Sequence, residues 1–201
     1  MAMDIAYKNT AGTPIGALGT REGSAYTQDY LPALAGSVLR GNCYMASSLT
    51  SAAWGGTLTA TGVTWHLSNP ANSGVNLVIM KGVLTVTTAT TAGEVGWCYS
   101  PLGGVSTATI HGTPGVIHNC KLGISGVGGK ALFDTSATLP IVPVWLQSIG
   151  WLQVTALSNS GSIIDMVMGG IVVPPGVTLS VQSRTGIGTG TFTGTWAEEV
   201  I

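Results

Sequence analysis

Along residues 63–68 the apolar and polar positions keep the two-residue period of extended chain. Val63, Trp65 and Leu67 alternate with Thr64, His66 and Ser68, which predicts a strand with one buried face. The cluster Asn69-Pro70-Ala71-Asn72-Ser73-Gly74 is a turn. Val75 to Val86 then runs apolar almost without a break, the pattern of a strand buried on both faces or of a core hairpin. Periodicity alone also permits a helix over Leu77–Met80. Gly74, Gly82 and the run Thr85-Val86-Thr87-Thr88 argue against it, because Gly and β-branched residues weaken helices.

The same reading extends along the chain from Ser37. It predicts short strands at Val38–Ala46, Gly55–Thr61, Glu94–Ser100, Val105–Ile110 and Val116–Leu122, and a short edge strand at Lys130–Asp134. Two strands, Ile141–Leu146 and Gly150–Leu157, flank an expected turn at Gln147-Ser148. Ile163–Val173 is apolar and ends at Pro174-Pro175-Gly176. Val177, Leu179 and Val181 alternate with Thr178, Ser180 and Gln182, and a turn at Gly186–Gly190 leads into a last strand, Thr191–Val200. No amphipathic helix of useful length is expected; Ile163–Met168 has room for one turn. Many short strands with turn signals about every ten residues predict an all-β sandwich or barrel.

Residues 1–36 break this pattern. Gly12, Pro14, Gly16, Gly19, Gly23 and Pro32 interrupt any regular element, and six of the fifteen charged residues fall within the first forty positions. The expectation is an extended N-terminal arm over 1–36 followed by a β-sandwich domain over 37–201. Ile5, Tyr7, Ile15, Leu18, Tyr26, Tyr30 and Leu31 give the arm apolar anchors that a solvated tail rarely carries, so they are the candidate partner-binding residues.

Charge changes the picture most. Charged residues make up 7% of 201, against roughly 25% in an average soluble protein, and mean hydropathy is +0.43. No apolar run approaches the ~20 residues of a spanning helix, and the start Met1-Ala2-Met3-Asp4 has no basic-then-apolar leader, which disfavours a transmembrane barrel. Thr, Ser, Gly and Asn must therefore cover the surface, at a lower desolvation cost than ions. Surplus apolar surface points to burial against partner chains. A net charge of −1 offers no basic stripe for nucleic acid. Cys43, Cys98 and Cys120 read as reduced, buried thiols made in a cytoplasm.

Chemical motifs fail on spacing. His111, His118 and Cys120, with Cys98 nearby, match no zinc pattern. Gly123–Val127 lacks the second Gly of G-x-S-x-G, and Asp134 and Asp165 are isolated acids. Adjacent Glu198 and Glu199 on a strand point to opposite faces. Gly123–Lys130 and Gly186–Gly190 miss the phosphate-loop and dinucleotide spacings. No catalytic residue, cofactor or metal is expected. Trp65 is expected in the core; Trp54, Trp145, Trp151 and Trp196 belong to core or interface, or to a sugar-binding face.

The stretch Gly169 to Leu179, with its Pro174-Pro175-Gly176 turn, then Gly190 to Thr195 and Trp196-Ala197-Glu198-Glu199, resembles the end of small β-sandwich virion proteins of tailed bacteriophages. Leu67 to Ile79 is similar to their central turn and strand. The resemblance covers about Arg40 to the C-terminus. It implies a jelly-roll-like antiparallel sandwich acting as a capsid decoration (cement) protein, commonly a homotrimer. Such a protein is made in the host cytoplasm, resides in the virion and braces the major capsid protein or other virion proteins. The rival expectation is a receptor- or glycan-binding head-fibre or tail module. A hydrolase on a β scaffold is a third.

Overall fold

A computed structural model of the chain describes residues 7–8, 14–15, 35–102, 116–123, 129–152, 161–185 and 187–201. Strands β1 (Tyr7–Lys8) and β2 (Pro14–Ile15) pair antiparallel, with Tyr7 opposite Ile15. The other arm anchors, Ile5, Leu18, Tyr26, Tyr30 and Leu31, lie outside the described residues. A short helix, α1 (Ala35–Arg40), comes next. It overlaps the start of the strand expected from Val38, so the first long strand begins later, at Cys43.

The strands that follow are β3 (Cys43–Ser47), β4 (Ala52–Trp54), β5 (Thr61–Val63), β6 (His66–Asn69), β7 (Val75–Thr91), β8 (Gly93–Pro101), β9 (Ile117–Asn119), β10 (Leu132–Asp134), β11 (Ala137–Thr138), β12 (Val144–Leu152), β13 (Gly161–Asp165), β14 (Ile171–Val173), β15 (Val177–Ser183) and β16 (Ile187–Val200). They form two main antiparallel sheets. One has the order β10-β6-β15-β8-β12. The other runs β13-β7-β16-β3-β9, with β14 added on β7 and β4 on β16.

Eight strands carry the topology: β3, β6, β7, β8, β12, β13, β15 and β16. The first pairs with the eighth, the eighth with the third and the third with the sixth. In the facing sheet the second pairs with the seventh, the seventh with the fourth and the fourth with the fifth. That alternation of sheets in chain order is a jelly roll, two interleaved Greek keys. The all-β sandwich expected from strand spacing is the observed fold.

Several local expectations differ from the structure. Gly55–Thr61 is not a strand; β4 ends at Trp54 and β5 starts at Thr61. The turn placed at Gln147-Ser148 is absent: β12 runs straight through, absorbing two register shifts against β8. Bulges let polar residues sit within an edge strand without reversing it. Residues 187–190, expected in a turn, already belong to β16. Ile163–Met168 makes no helical turn; it spans the end of β13 and a bend. Lys130–Asp134 yields the edge strand β10, as the pattern predicts. Val105–Ile110 lies outside the described residues.

The core is aromatic. Trp65, Trp97, Phe133 and Phe192 meet with ring centroids 5.0–5.8 Å apart, mostly edge to face, and Tyr44 stacks on Trp196 at 6.2 Å. These rings come from both sheets, so they fill the space between them with side chain. On the outer side of the larger sheet, hydroxyls cover the strands in place of charge. Thr87 Oγ1 lies 2.8 Å from Ser51 Oγ and 2.8 Å from Thr189 Oγ1, and Thr85 Oγ1 lies 3.0 Å from Ser162 Oγ.

Candidate interaction surface

One flank of the sandwich is bare and apolar. It is built where β14 and the bend before it meet β8, β12 and β15. A groove of about 450 Å³ opens there, lined by Tyr99, Leu146, Ile171, Val172, Pro174 and Val177 and floored by Val173 and Leu179. The floor residues belong to the hydrophobic core, so the groove exposes the core's own edge. Among the described residues no charged side chain lines it.

The apolar character continues past the groove. Val172 pairs with Val78, and Ile164 with Val83, across the outer side of β7. Ile164 is 60% exposed, Met166 52%, Met168 58% and Val172 50%, and Val144 and Leu146 on β12 are also largely open. The bend is backed by two hydrogen bonds: the Met168 N–H donates to the Met80 carbonyl (2.9 Å) and the Gly169 N–H to the Ile79 carbonyl (2.8 Å). Within it, Gly170 N–H donates to Val167 O at 2.9 Å, and both central residues have positive φ, +50° at Met168 and +84° at Gly169. This is the geometry of a type I′ turn, which glycine and asparagine favour. Met168 is the one non-glycine residue with positive φ among the described residues. A methionine held in the left-handed region, itself 58% exposed, is a point of local backbone strain.

Beneath the flank the two sheets are fastened by polar contacts. Trp97 Nε1 on β8 donates to Asp165 Oδ2 on β13 at 2.8 Å, and Gln147 Nε2 on β12 reaches the same oxygen at 3.4 Å. Asn69 Nδ2, at the end of β6, donates to the carbonyls of Val75 and Val173, both at 2.8 Å. The Asn-Pro turn expected between two strands is thus a clamp holding β6 to β7 and β14.

The other candidate positions fall elsewhere. Both faces of β6 are buried, not one: His66, Ser68, Thr178, Ser180 and Asp134 form a sealed polar layer on the side away from the aromatic core. Ser68 Oγ lies 3.4 Å from each ring nitrogen of His66, and Asp134 is its register neighbour. These three residue types sit in regular strands with no exposure, so they form a structural layer and lack the open, turn-borne nucleophile of a hydrolase. Sequence spacing missed this cluster because Asp134 reaches His66 only through strand pairing.

Among the described residues no three His, Cys, Asp or Glu side chains converge on a metal-sized site; His111 lies outside them. Cys98 is buried in the smaller sheet, away from Cys120 beside β9 in the larger one. Glu198 and Glu199 do point apart. Glu198 is buried and accepts the backbone N–H groups of Lys130 (2.8 Å) and Ala131 (3.1 Å), whereas Glu199 meets Arg40 at 3.5 Å. Trp54, Trp65, Trp97 and Trp196 are core residues, and Trp145 lies under the Arg184 guanidinium, 5.0 Å from its ring centroid. Trp151 alone is widely exposed. No helix among the described residues is long and apolar enough to cross a membrane.

The fold defines the chain as a jelly-roll sandwich with an exposed apolar flank. Compared with known proteins, it matches no family model, no curated protein and no solved structure.

Proposed function

We propose that this chain is a non-enzymatic structural protein of a virus particle, a decoration or cement protein of a tailed bacteriophage head. In this reading it forms homotrimers through its apolar flank and reinforces the shell of major capsid protein, with residues 1–36 reaching along neighbours. The observation that carries the reading is the bare flank on a jelly roll whose interior is packed solid with aromatic rings. Jelly rolls serve viral capsids, lectins and cupins. A cupin needs an open, metal-binding interior, and here the rings of Trp65, Trp97 and Phe192 occupy that space.

Area supports a second copy as the occupant of the flank. Tyr99, Val144, Leu146, Ile164, Met166, Met168 and Val172 are each between about a third and three-fifths exposed. Together they offer on the order of 600 Å² of apolar surface, the upper end for a monomer patch and most of the ~800 Å² per partner in a standard interface. The glycan-binding alternative has less support, because it needs a platform of open aromatic rings, and among the described residues only Trp151 is more than half exposed, with Tyr99 about a third exposed in the groove.

The test is particle composition. Purified particles of the encoding phage are expected to contain the chain in many copies, and the isolated protein to scatter light as a trimer. Absence from particles, or a soluble monomer at micromolar concentration, overturns the reading.

A further inference from the structure

A second feature is independent of that flank and of the proposed role. Cys43 opens β3, and Cys120 follows the last residue of β9. The β3–β9 register pairs Tyr44 with Asn119 and Met45 with His118, and one step further it sets Cys43 opposite Cys120. The Cys120 N–H donates to the Cys43 carbonyl at 2.9 Å, continuing the ladder. The two sulfurs are 3.4 Å apart, with the Cys43 thiol directed at Cys120 Sγ. Both are free thiols. A disulfide has S–S near 2.05 Å, so closure asks the sulfurs to approach by roughly 1.4 Å, within reach of small χ rotations.

We propose that Cys43 and Cys120 are a built cross-linking site, reduced in a thiol-rich compartment and closed to a disulfide by low-molecular-weight disulfides such as oxidised glutathione. Access sets the order of events. Cys43 is fully buried and Cys120 half-buried, so the incoming disulfide meets Cys120 first. The Cys120 thiolate attacks one sulfur of the external disulfide; that S–S bond breaks, a mixed disulfide forms and one external thiolate leaves. Cys43 then gives its proton to water and its sulfur attacks Cys120 Sγ. The mixed S–S bond breaks and the second external thiolate leaves. Two protons leave the protein, and two electrons reduce one external disulfide to two thiols. The contact already present, Cys43 S–H toward Cys120 sulfur, favours the Cys120 thiolate and holds the resolving thiol 3.4 Å from its target sulfur.

The consequence is mechanical. Among the described residues β9 is an edge strand of three residues, paired to β3 only. Short edges are where a sheet peels. A bond from Cys120 to Cys43 pins that edge and closes a long loop in the chain, the case in which a cross-link constrains the unfolded state most. A chain assembled under reducing conditions would become locked when released into an oxidising medium.

The test uses the full-length protein incubated in reduced or oxidised glutathione. Oxidation is expected to lower the intact mass by about 2 Da, for two hydrogens lost. Titratable thiols fall from three to one. Tm rises by roughly 5–15 °C, and peptide mapping finds a fragment joining positions 43 and 120. Cys98→Ser leaves all of this unchanged, and Cys120→Ser abolishes it. Should Cys120→Ser fold poorly, the peptide map of the unsubstituted protein decides alone. An unchanged mass in oxidised glutathione, a stable glutathione adduct at Cys120, or a cross-link containing Cys98 overturns the proposal.

Discussion

Gly82 and Gly194 face each other across the β7–β16 ladder, and the room they leave is filled by Trp rings. A Cβ on Gly194 would lie 2.3 Å from Trp65 Cζ2, and one on Gly82 2.8 Å from Trp97 Cζ2 and 2.7 Å from Phe192 Cζ. The centre of the larger sheet is therefore stripped of side chain so that rings from the smaller sheet can lie against its backbone. Gly in a strand normally weakens it; here close aromatic packing offsets that cost.

Gly194→Ala is accordingly expected to destabilise the fold by about 1–3 kcal/mol, the usual range for overpacking a core. Trp65 is buried against Trp97, Phe133 and Phe192, so its ring can give way only by displacing those rings. Chemical denaturation measures the change, and an unaltered midpoint would sink the packing argument.

How much of this was legible in the sequence follows from the range of each interaction. The two-residue period announced β15, and strand-like runs bounded by turn residues announced β7, β8 and β16, because both signals are local. Lys130–Asp134 was readable as an edge for the same reason. The order of strands in each sheet was not readable, since pairing His66 with Ser180 or Trp196 with Ile79 depends on residues far apart in the chain. The reading also misjudged β12, where the polar pair Gln147-Ser148 sits between bulges at Leu146 and Ile149 and imitates a turn. The apolar flank had only a compositional trace, the excess of apolar residues over charge. That Ile164 and Val172 lie outward while Ile163 and Val173 pack inward requires the register on β7. The thiol pair was invisible, because 43 and 120 share no local motif.

Asn69→Asp probes the clamp at the flank's base. The substitution keeps shape but replaces a donor by an acceptor facing two carbonyl oxygens, at Val75 and Val173. A loss of roughly 3 kcal/mol or more at pH 7 is expected, above that of Asn69→Ala, because a buried charge is left without a donor. The sign of the pH dependence follows. Burial raises the folded-state pKa of the new carboxyl, so the unfolded state is the more acidic and the deficit shrinks as pH falls. Denaturation at pH 5 and pH 7 measures it; equal deficits at both would remove the clamp from the account.

The three thiols are expected to differ in reactivity. Burial pushes the Cys98 thiol up to about 12, so it stays protonated and inert through the neutral range. Cys43 is raised as well, by its own S–H contact to Cys120 and then by burial, while that contact lowers Cys120. Iodoacetamide at pH 8 should therefore modify native, reduced protein at Cys120 first, and reach Cys98 only after denaturation. Mass mapping of the alkylated peptides checks the order, and early labelling of Cys98 would contradict it.

Met168→Gly separates stability from assembly at the flank. The left-handed backbone at Met168 costs a side-chain-bearing residue roughly 1–2 kcal/mol, which glycine avoids. Glycine gives back on the order of 0.5–1 kcal/mol in unfolded-state entropy. Met168 is more than half exposed and buries little, so the isolated fold should be unchanged or slightly more stable. Assembly should respond in the opposite direction. If the flank is the contact between copies, each copy loses one of the flank's more exposed apolar side chains, and fully burying such a side chain contributes roughly 1.5–3 kcal/mol. Analytical ultracentrifugation should then show the oligomer dissociating at about tenfold or more higher protein concentration, with a denaturation midpoint no lower than before. A strain kept for packing alone would give the reverse pairing, a weaker fold with intact assembly, and would move the contact between copies away from this flank.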